Sequence, residues 1–245
     1  MWNTENFNEF VEWVQTNHPD KVDLVNDWMD RAEVVPCDIN ENTGKDHHLV
    51  NSVRNSITNR LIETGTEAGS FTLNFVNDAS EIITCEVDEG SYLCAQYRHQ
   101  DHDNIDGRFI DSKSLLESLE LRDDDVFFLD AHGGPGGYDL INDNPLTHEL
   151  NIIRDAGIKP TIFIHDFGIE TDKNPDDGNY WHHPSLPKVY EYRFDFDATV
   201  YDGWKLDWDF IRDEIEEIYG DDYVIEYPPF EDDDVVVGWI KISAR

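Results

Sequence analysis

Basic residues are scarce in this chain. Lys and Arg number 18 against 54 Asp and Glu, for a formal net charge of −36 over 245 residues. Such a surface repels nucleic-acid phosphates and anionic membranes, which argues against either as a partner. The acids run along the whole chain instead of forming one tail, the pattern expected of a halophilic protein whose dense carboxylates are screened by salt. A cation-binding or DNA-mimicking surface and simple solubility are the competing readings. Cysteine is also sparse: Cys37, Cys85 and Cys94 show no Cys-x-x-Cys spacing, and two of them sit in apolar segments. Reduced, buried thiols and a cytoplasmic location are therefore expected. No run approaches the roughly 18–20 apolar residues of a membrane span. Residues 1–30 carry Glu5, Glu9 and Glu12 without an apolar run, so they do not read as a signal peptide. Two phosphate-binding signatures are missing as well, Gly-x-Gly-x-x-Gly and Gly-Lys-Ser/Thr.

Enough apolar material is present for a core, at 39% hydrophobic and 12% aromatic residues. Phe7, Phe10, Val11 and Val14 fall at helical spacing, as do Val22, Val25, Trp28 and Met29, and then Leu49, Val53 and Ile57. These three helices come before any strand and read as an N-terminal helical cap over residues 1–59. From residue 60 to 245 the texture changes to an α/β domain. Short apolar runs at Leu61-Ile62, 81–87, 107–110, 125–130, 160–166, 223–227 and 235–242 mostly alternate with helical segments, including one at 70–78. That alternation predicts a doubly wound, mainly parallel sheet. Only "PPFEDDD" separates the last two strands, too little for a crossover, so they should pair antiparallel, with Asp232-Asp233-Asp234 at the hairpin tip. The long aromatic segment 169–205 is expected to shape a substrate pocket.

Two places concentrate chemistry. In "RLIETGTEAGSFTLNFV" (60–76) a strand runs into a turn flanked by Gly65 and Gly69, with Ser70 or Thr72 available to cap a helix. Glu63 before the turn would repel a pyrophosphate and welcome a cation. Farther on, Glu86 ends a strand where an acid suits two ribose hydroxyls. In "DDVFFLDAHGGPGGYDLIND" (124–143) an apolar strand delivers Asp130 and His132 to a glycine-rich loop. By itself that is a metal-ligand pair, a catalytic pair or a strand end.

In order along the chain, "IETGTEAGSFT", "CEVDEGSY", "FIDSKSLLESL", "FFLDAHGG" and "TIFIHDFG" resemble the class I S-adenosylmethionine-dependent methyltransferases. The likeness is closest to the branch whose first motif reads Glu-Thr-Gly-Thr-x-x-Gly. Phe71, between Ser70 and Thr72, departs from the strict pattern. The resemblance implies a Rossmann-like, seven-stranded sheet with a reversed last strand. It implies that Glu63, Gly65, Thr66 and Gly69 cradle the methionine part of the cofactor, that Glu86 binds its ribose, and that Asp111 and Ser112 lie near the adenine. "DSKS" is equally good capping chemistry for a helix.

The same resemblance brings Asp130 to the place where methyl donor and acceptor meet, with Asp166 beside it. Some relatives hold Mg²⁺ or another divalent cation between acids at these places, to lower the pKa of a hydroxyl. His132 or His165 acting as a general base without metal is the other arrangement. Trp181, His182 and His183 are candidate acceptor contacts. The activity implied is methyl transfer to a hydroxyl of a small molecule or sugar; the alternative is a non-catalytic scaffold that keeps the fold.

The composition makes one prediction. Carboxylate repulsion reaches about 30 Å at 0.01 M salt and about 3 Å at 1 M. The melting temperature, followed by circular dichroism, should therefore rise with added KCl; a flat curve would remove the high-salt explanation.

Overall fold

Seven apolar runs become seven strands, and their alternation decides which side chains go to which face. The computed structural model describes residues 4–31, 47–131, 144–165, 208–226 and 239–245. The strands are β1 (Arg60–Thr64), β2 (Glu81–Glu86), β3 (Ile105–Phe109), β4 (Asp125–Leu129), β5 (Thr161–His165), β6 (Tyr223–Glu226) and β7 (Trp239–Ala244). They form one sheet in the order β3-β2-β1-β4-β5-β7-β6. β1 to β5 pair in parallel, and β7 inserts antiparallel to both β5 and β6. This is the mainly parallel sheet with a reversed last strand that the sequence implied. The tip 232–234 lies outside the described residues.

Successive residues of a strand point to opposite faces. Ile62, Ile83, Phe127, Leu129, Ile162, Ile164 and Ile240 enter one core with side chains of α5 (Ser112–Glu117), α6 (Pro145–Ala156) and α7 (Trp208–Tyr219). Leu61, Ile82, Val126, Phe128, Phe163 and Trp239 enter a second core with Leu49, Val50 and Val53 of α3 (His47–Ser56). Both faces of β1 and β4 are therefore dry; β4 reads as an apolar run, while β1 buries Arg60, Glu63 and Thr64 beside Leu61 and Ile62.

Among the described residues, α1 (Thr4–Asn17) and α2 (Val22–Arg31) contribute to neither sheet core. With α4 (Glu89–His99) they build a third cluster: Phe10, Val14, Val25, Trp28, Leu93 and Cys94, joined by Ala68 from the turn after β1. The three N-terminal helices thus have two destinations, α3 on the sheet and α1 with α2 on α4. Cys85 and Cys94 are buried free thiols. Among the described residues no helix is long and apolar enough to cross a membrane.

At the amino end of the sheet, Arg60 and Asp125 are 4% and 1% exposed and pair through two parallel bonds, Nε to Oδ1 at 2.8 Å and Nη2 to Oδ2 at 2.7 Å. Arg60 Nη2–H also donates to the Glu120 carbonyl, and Asp125 Oδ2 accepts from the Arg122 N–H, each at 2.8 Å. A buried pair is tolerable only when its remaining donors and acceptors are met in this way. Removing one partner strands the other charge. Asp125→Ala should therefore lose about 3–5 kcal/mol, read as a lower urea midpoint with an unchanged slope.

Candidate active site

The turn after β1 is built around one carbonyl. The Cys85 oxygen accepts from Gly65 N–H (3.1 Å), Thr66 N–H (3.0 Å) and Thr66 Oγ1 (2.9 Å). Gly65 has φ +79, and a Cβ there would stand 2.6 Å from the carbonyl oxygen of Asp130. Only glycine meets both conditions. Glu67, at φ +50, adopts the left-handed region without being glycine. Its N–H donates to Glu86 Oε2 at 2.8 Å. Gly69, at φ +78, leaves room for His99, whose Nε2 an added Cβ would meet at 2.5 Å. The His99 ring bonds the Gly69 carbonyl through Nε2 at 3.0 Å. Burial pushes its imidazole down to about 4, so it is the neutral ring's N–H that donates to that carbonyl.

The expected helix over 70–78 is instead one short 3-10 turn, Thr72–Phe75, and no side chain caps it. The hydroxyl of Thr72 is taken by Glu63 (2.5 Å), which removes the cap. Phe71 turns inward, stacked on Phe128 with ring centroids 4.1 Å apart and edge-on to Phe75 at 5.0 Å. The bulk that departs from the strict motif is core packing and keeps clear of the turn's outer face.

Glu63 is 1% exposed and lies beneath the turn, accepting also from Thr84 Oγ1 at 2.7 Å. Thr84 in turn contacts the hydroxyl of Thr66. Glu86 ends β2 with both oxygens engaged: Oε1 accepts from Val87 N–H (2.7 Å) and Asp88 N–H (2.8 Å), and Oε2 from Glu67 N–H. Asp111 caps α5, taking Ser114 N–H at 2.8 Å and Ser114 Oγ at 2.7 Å, while Ser112 is buried. Capping is thus what Asp111 does in the described contacts.

Parallel pairing of β4 with β5 brings Asp130 level with His165. Asp130 N–H donates to the Thr64 carbonyl at 3.1 Å, fixing its backbone beside the glycine turn. Its Oδ1 lies 3.0 Å from His165 Nδ1. In the neutral imidazole the proton then sits on Nδ1, and Nε2 is the basic nitrogen. The ring of Phe128 lies 5.6 Å from that of His165. Among the described residues there is no group of three His, Cys, Asp or Glu side chains that could hold a metal. His132, Asp166, Trp181, His182 and His183 lie outside the described residues.

Three features of the site were not singled out in the sequence. Glu67 falls on an unspecified position of the first motif. Val87 and Phe109 are about half exposed at 49% and 50%, and Tyr92 stands 5.3 Å from the Phe109 ring. Their only signal is an apolar residue directly after Glu86, where a strand end would ordinarily turn polar.

Acidic groups dominate the electrostatics of the site, with His165 and Arg98 opposing them at Glu67. Burial lifts the Glu67 carboxyl above its ordinary range, and the charges of Asp130 and Glu86 lift it further. Burial also raises Glu86, against three backbone N–H bonds that lower it. Glu63 is pushed up to about 7, by burial first, with hydroxyl bonds from Thr72 and Thr84 opposing and Asp130 and Glu86 adding. A carboxyl raised from its usual 4.5 keeps its proton in the fold after the unfolded chain has lost it. Stability is therefore full below about pH 4.5 and falls as pH rises through about 7. Glu63→Gln removes that loss, which is worth about 3 kcal/mol by linkage. The variant should melt above the parent at pH 8 and lose its advantage at pH 4.5, and equal melting at both would place the Glu63 charge elsewhere.

No protein-family model and no curated protein matches this sequence. Solved structures do match. A candidate O-methyltransferase from Klebsiella pneumoniae superposes with a TM-score of 0.53 at 19% identity, over 96% of this chain and 94% of that one. A candidate methyltransferase from Streptococcus mutans in complex with SAH gives 0.52 at 8% identity, over 82% and 98%. A candidate rRNA methylase from Clostridium thermocellum gives 0.50 at 6% identity, over 82% and 97%. The strand order, the reversed last strand and these superpositions agree: this chain has the fold of the class I S-adenosylmethionine-dependent methyltransferases.

Proposed function

We propose that this chain is an S-adenosylmethionine-dependent O-methyltransferase acting on a hydroxyl of a small molecule or sugar. The observation that carries the reading is the Asp130–His165 hydrogen bond at the carboxyl ends of β4 and β5, beside the glycine turn of β1. Ligands of open α/β sheets bind at that end of the strands. An imidazole whose Nδ1–H is held by a carboxylate presents Nε2 as a general base.

The residues around it fit the cofactor. The charges of Asp130 and Glu86 raise the proton affinity of Glu63 and Glu67, so a cation among these acids is stabilised. Gly65, Thr66 and Gly69, with Glu63 beneath them, would hold the methionine part. Glu86 would take the ribose through Oε2, which accepts one backbone N–H and keeps acceptor capacity, whereas Oε1 already accepts two. Asp111 and Ser112, with the open apolar surface of Val87 and Phe109, would border the adenine. The S. mutans structure in complex with SAH supports the same cofactor class here. Bound there, S-adenosylmethionine supplies a methyl group on a positively charged sulfur. His165 Nε2 takes the proton of the acceptor hydroxyl, and Asp130 keeps the ring in place and stabilises the imidazolium that forms. Trp181, His182 and His183 are proposed acceptor contacts. The charge of −36 favours a small acceptor, because a nucleic acid needs a basic track.

Calorimetry with S-adenosylhomocysteine should show binding, and Glu86→Ala should weaken it by about 1–3 kcal/mol. No binding by the parent protein would overturn the enzyme reading in favour of a scaffold. His165→Ala should lower the rate on a hydroxyl acceptor by about 10²–10⁴ and chelator should leave it intact. Loss of turnover on chelation would assign the step instead to a divalent ion held through Asp130 and Asp166.

A further inference from the structure

Trp28 belongs to α2, far in sequence from the glycine turn, yet it is buried against the part of the chain that carries Glu86. Its ring lies over Gly90, where even an added Cβ would collide with Trp28 Cγ. Its Nε1–H donates to Ser91 Oγ at 3.2 Å. Gly90 and Ser91 are the first turn of α4. The cap of that helix is Asp88, which accepts the Ser91 N–H at 2.9 Å. Asp88 and Val87 in turn give their own N–H groups to Glu86 Oε1. One unbroken series of contacts therefore runs from the Trp28 indole through Ser91 and Asp88 to the Glu86 carboxylate, and on through Oε2 to the Glu67 N–H.

Other contacts fix α1 and α2 to the same place. Lys21 Nζ pairs with Glu89 at 2.6 Å, Tyr97 donates to Glu9 at 3.3 Å, and Phe10 packs on the rings of Trp28 and Tyr97. Ala68, in the glycine turn, is buried in the same cluster as Phe10 and Trp28. Arg98 of α4 donates to the Ala68 carbonyl at 3.3 Å and to the Ser70 hydroxyl. The partly exposed ion pair adds little by itself. The aromatic burial and the close fit of indole on glycine do the holding.

We infer that Trp28 is a positioning residue for the cofactor: it sets the 86–91 turn, and through it the Glu86 carboxylate, although it touches no ligand itself. This rests on the reading of Glu86 as a cofactor-binding acid. It makes the first two helices a working part of the site instead of a cover over it. A binding group left loose by about an ångström loses much of its effect, so the expected change is large.

The test uses the full chain carrying Trp28→Ala, with Trp28→Phe as a milder variant that keeps ring bulk over Gly90 and gives up the N–H. Two readouts are taken, hydrogen exchange of the amides at 67 and 87–91 and calorimetric affinity for S-adenosylhomocysteine. Exchange at these amides should speed up in Trp28→Ala while amides of β4 and β5 stay protected. Affinity should fall at least about ten-fold, with Trp28→Phe in between. A lower melting temperature with unchanged affinity and unchanged exchange at 67 and 87–91 would overturn the inference and leave Trp28 a packing residue. If Trp28→Ala does not fold, Trp28→Phe decides by the same two readouts. If the parent protein binds no S-adenosylhomocysteine, the cofactor reading falls. The exchange data then still decide whether Trp28 orders the turn.

Discussion

No side chain fits between Gly65 and the carbonyl of Asp130, and the rest of the site follows from that exclusion. With the two backbones this close, the end of β1 and the end of β4 form one continuous ledge. Thr64 and Asp130 can then share a backbone hydrogen bond, and the turn folds back onto the Cys85 carbonyl. The turn's outer residues are delivered to Glu86 on one side, and Asp130 is delivered to His165 on the other. A larger residue at Gly65 would push apart the strands that bring these groups together.

The two ends of the sheet treat charge differently. At its amino end Arg60 and Asp125 neutralise each other in a fully bonded pair. At its carboxyl end lie Glu63, Glu67, Glu86 and Asp130, where the charges of Glu86 and Asp130 oppose the ionisation of Glu63 and Glu67. Such a concentration of like charge costs stability, and it persists in folds where a ligand of opposite charge relieves it. The protein's overall acidity is a separate matter, spread over surfaces that face salt.

Much of this was legible in the sequence because strands with two dry faces are written as unbroken apolar runs. "DVFFLD" and "TIFIHD" announced β4 and β5, and the short link before "VVVGWIKI" announced the antiparallel strand. Gly65 and Gly69 were legible as a turn. The role of Phe71 was not, since a phenylalanine in a motif looks like an obstruction until Phe128 is found beneath it. The helix expected over 70–78, with Ser70 or Thr72 as its cap, is absent, and the Thr72 hydroxyl is committed to a carboxyl nine residues earlier. Asp130 and His165 could each be chosen from strand ends. Their bond could not, because it depends on which strand lies beside which. Trp28 gave no signal beyond helical spacing, since what it touches is a glycine in another helix.

The insertion of β7 between β5 and β6 bears on how the molecule is made. Among the described strands β6 pairs with β7 alone, and β7 must find β5, from which it is separated by α7 and a long stretch of chain. While the polypeptide emerges from the ribosome, β1 to β5 can assemble in order, each new strand having an earlier one to pair with. β6 emerges with nothing to pair with and waits for β7 to reach the sheet. This far side of the sheet is therefore its last to close and its slowest, because contacts of large sequence separation form late. Until then β5 is an open edge that carries Ile162 and Ile164, both buried in the finished fold.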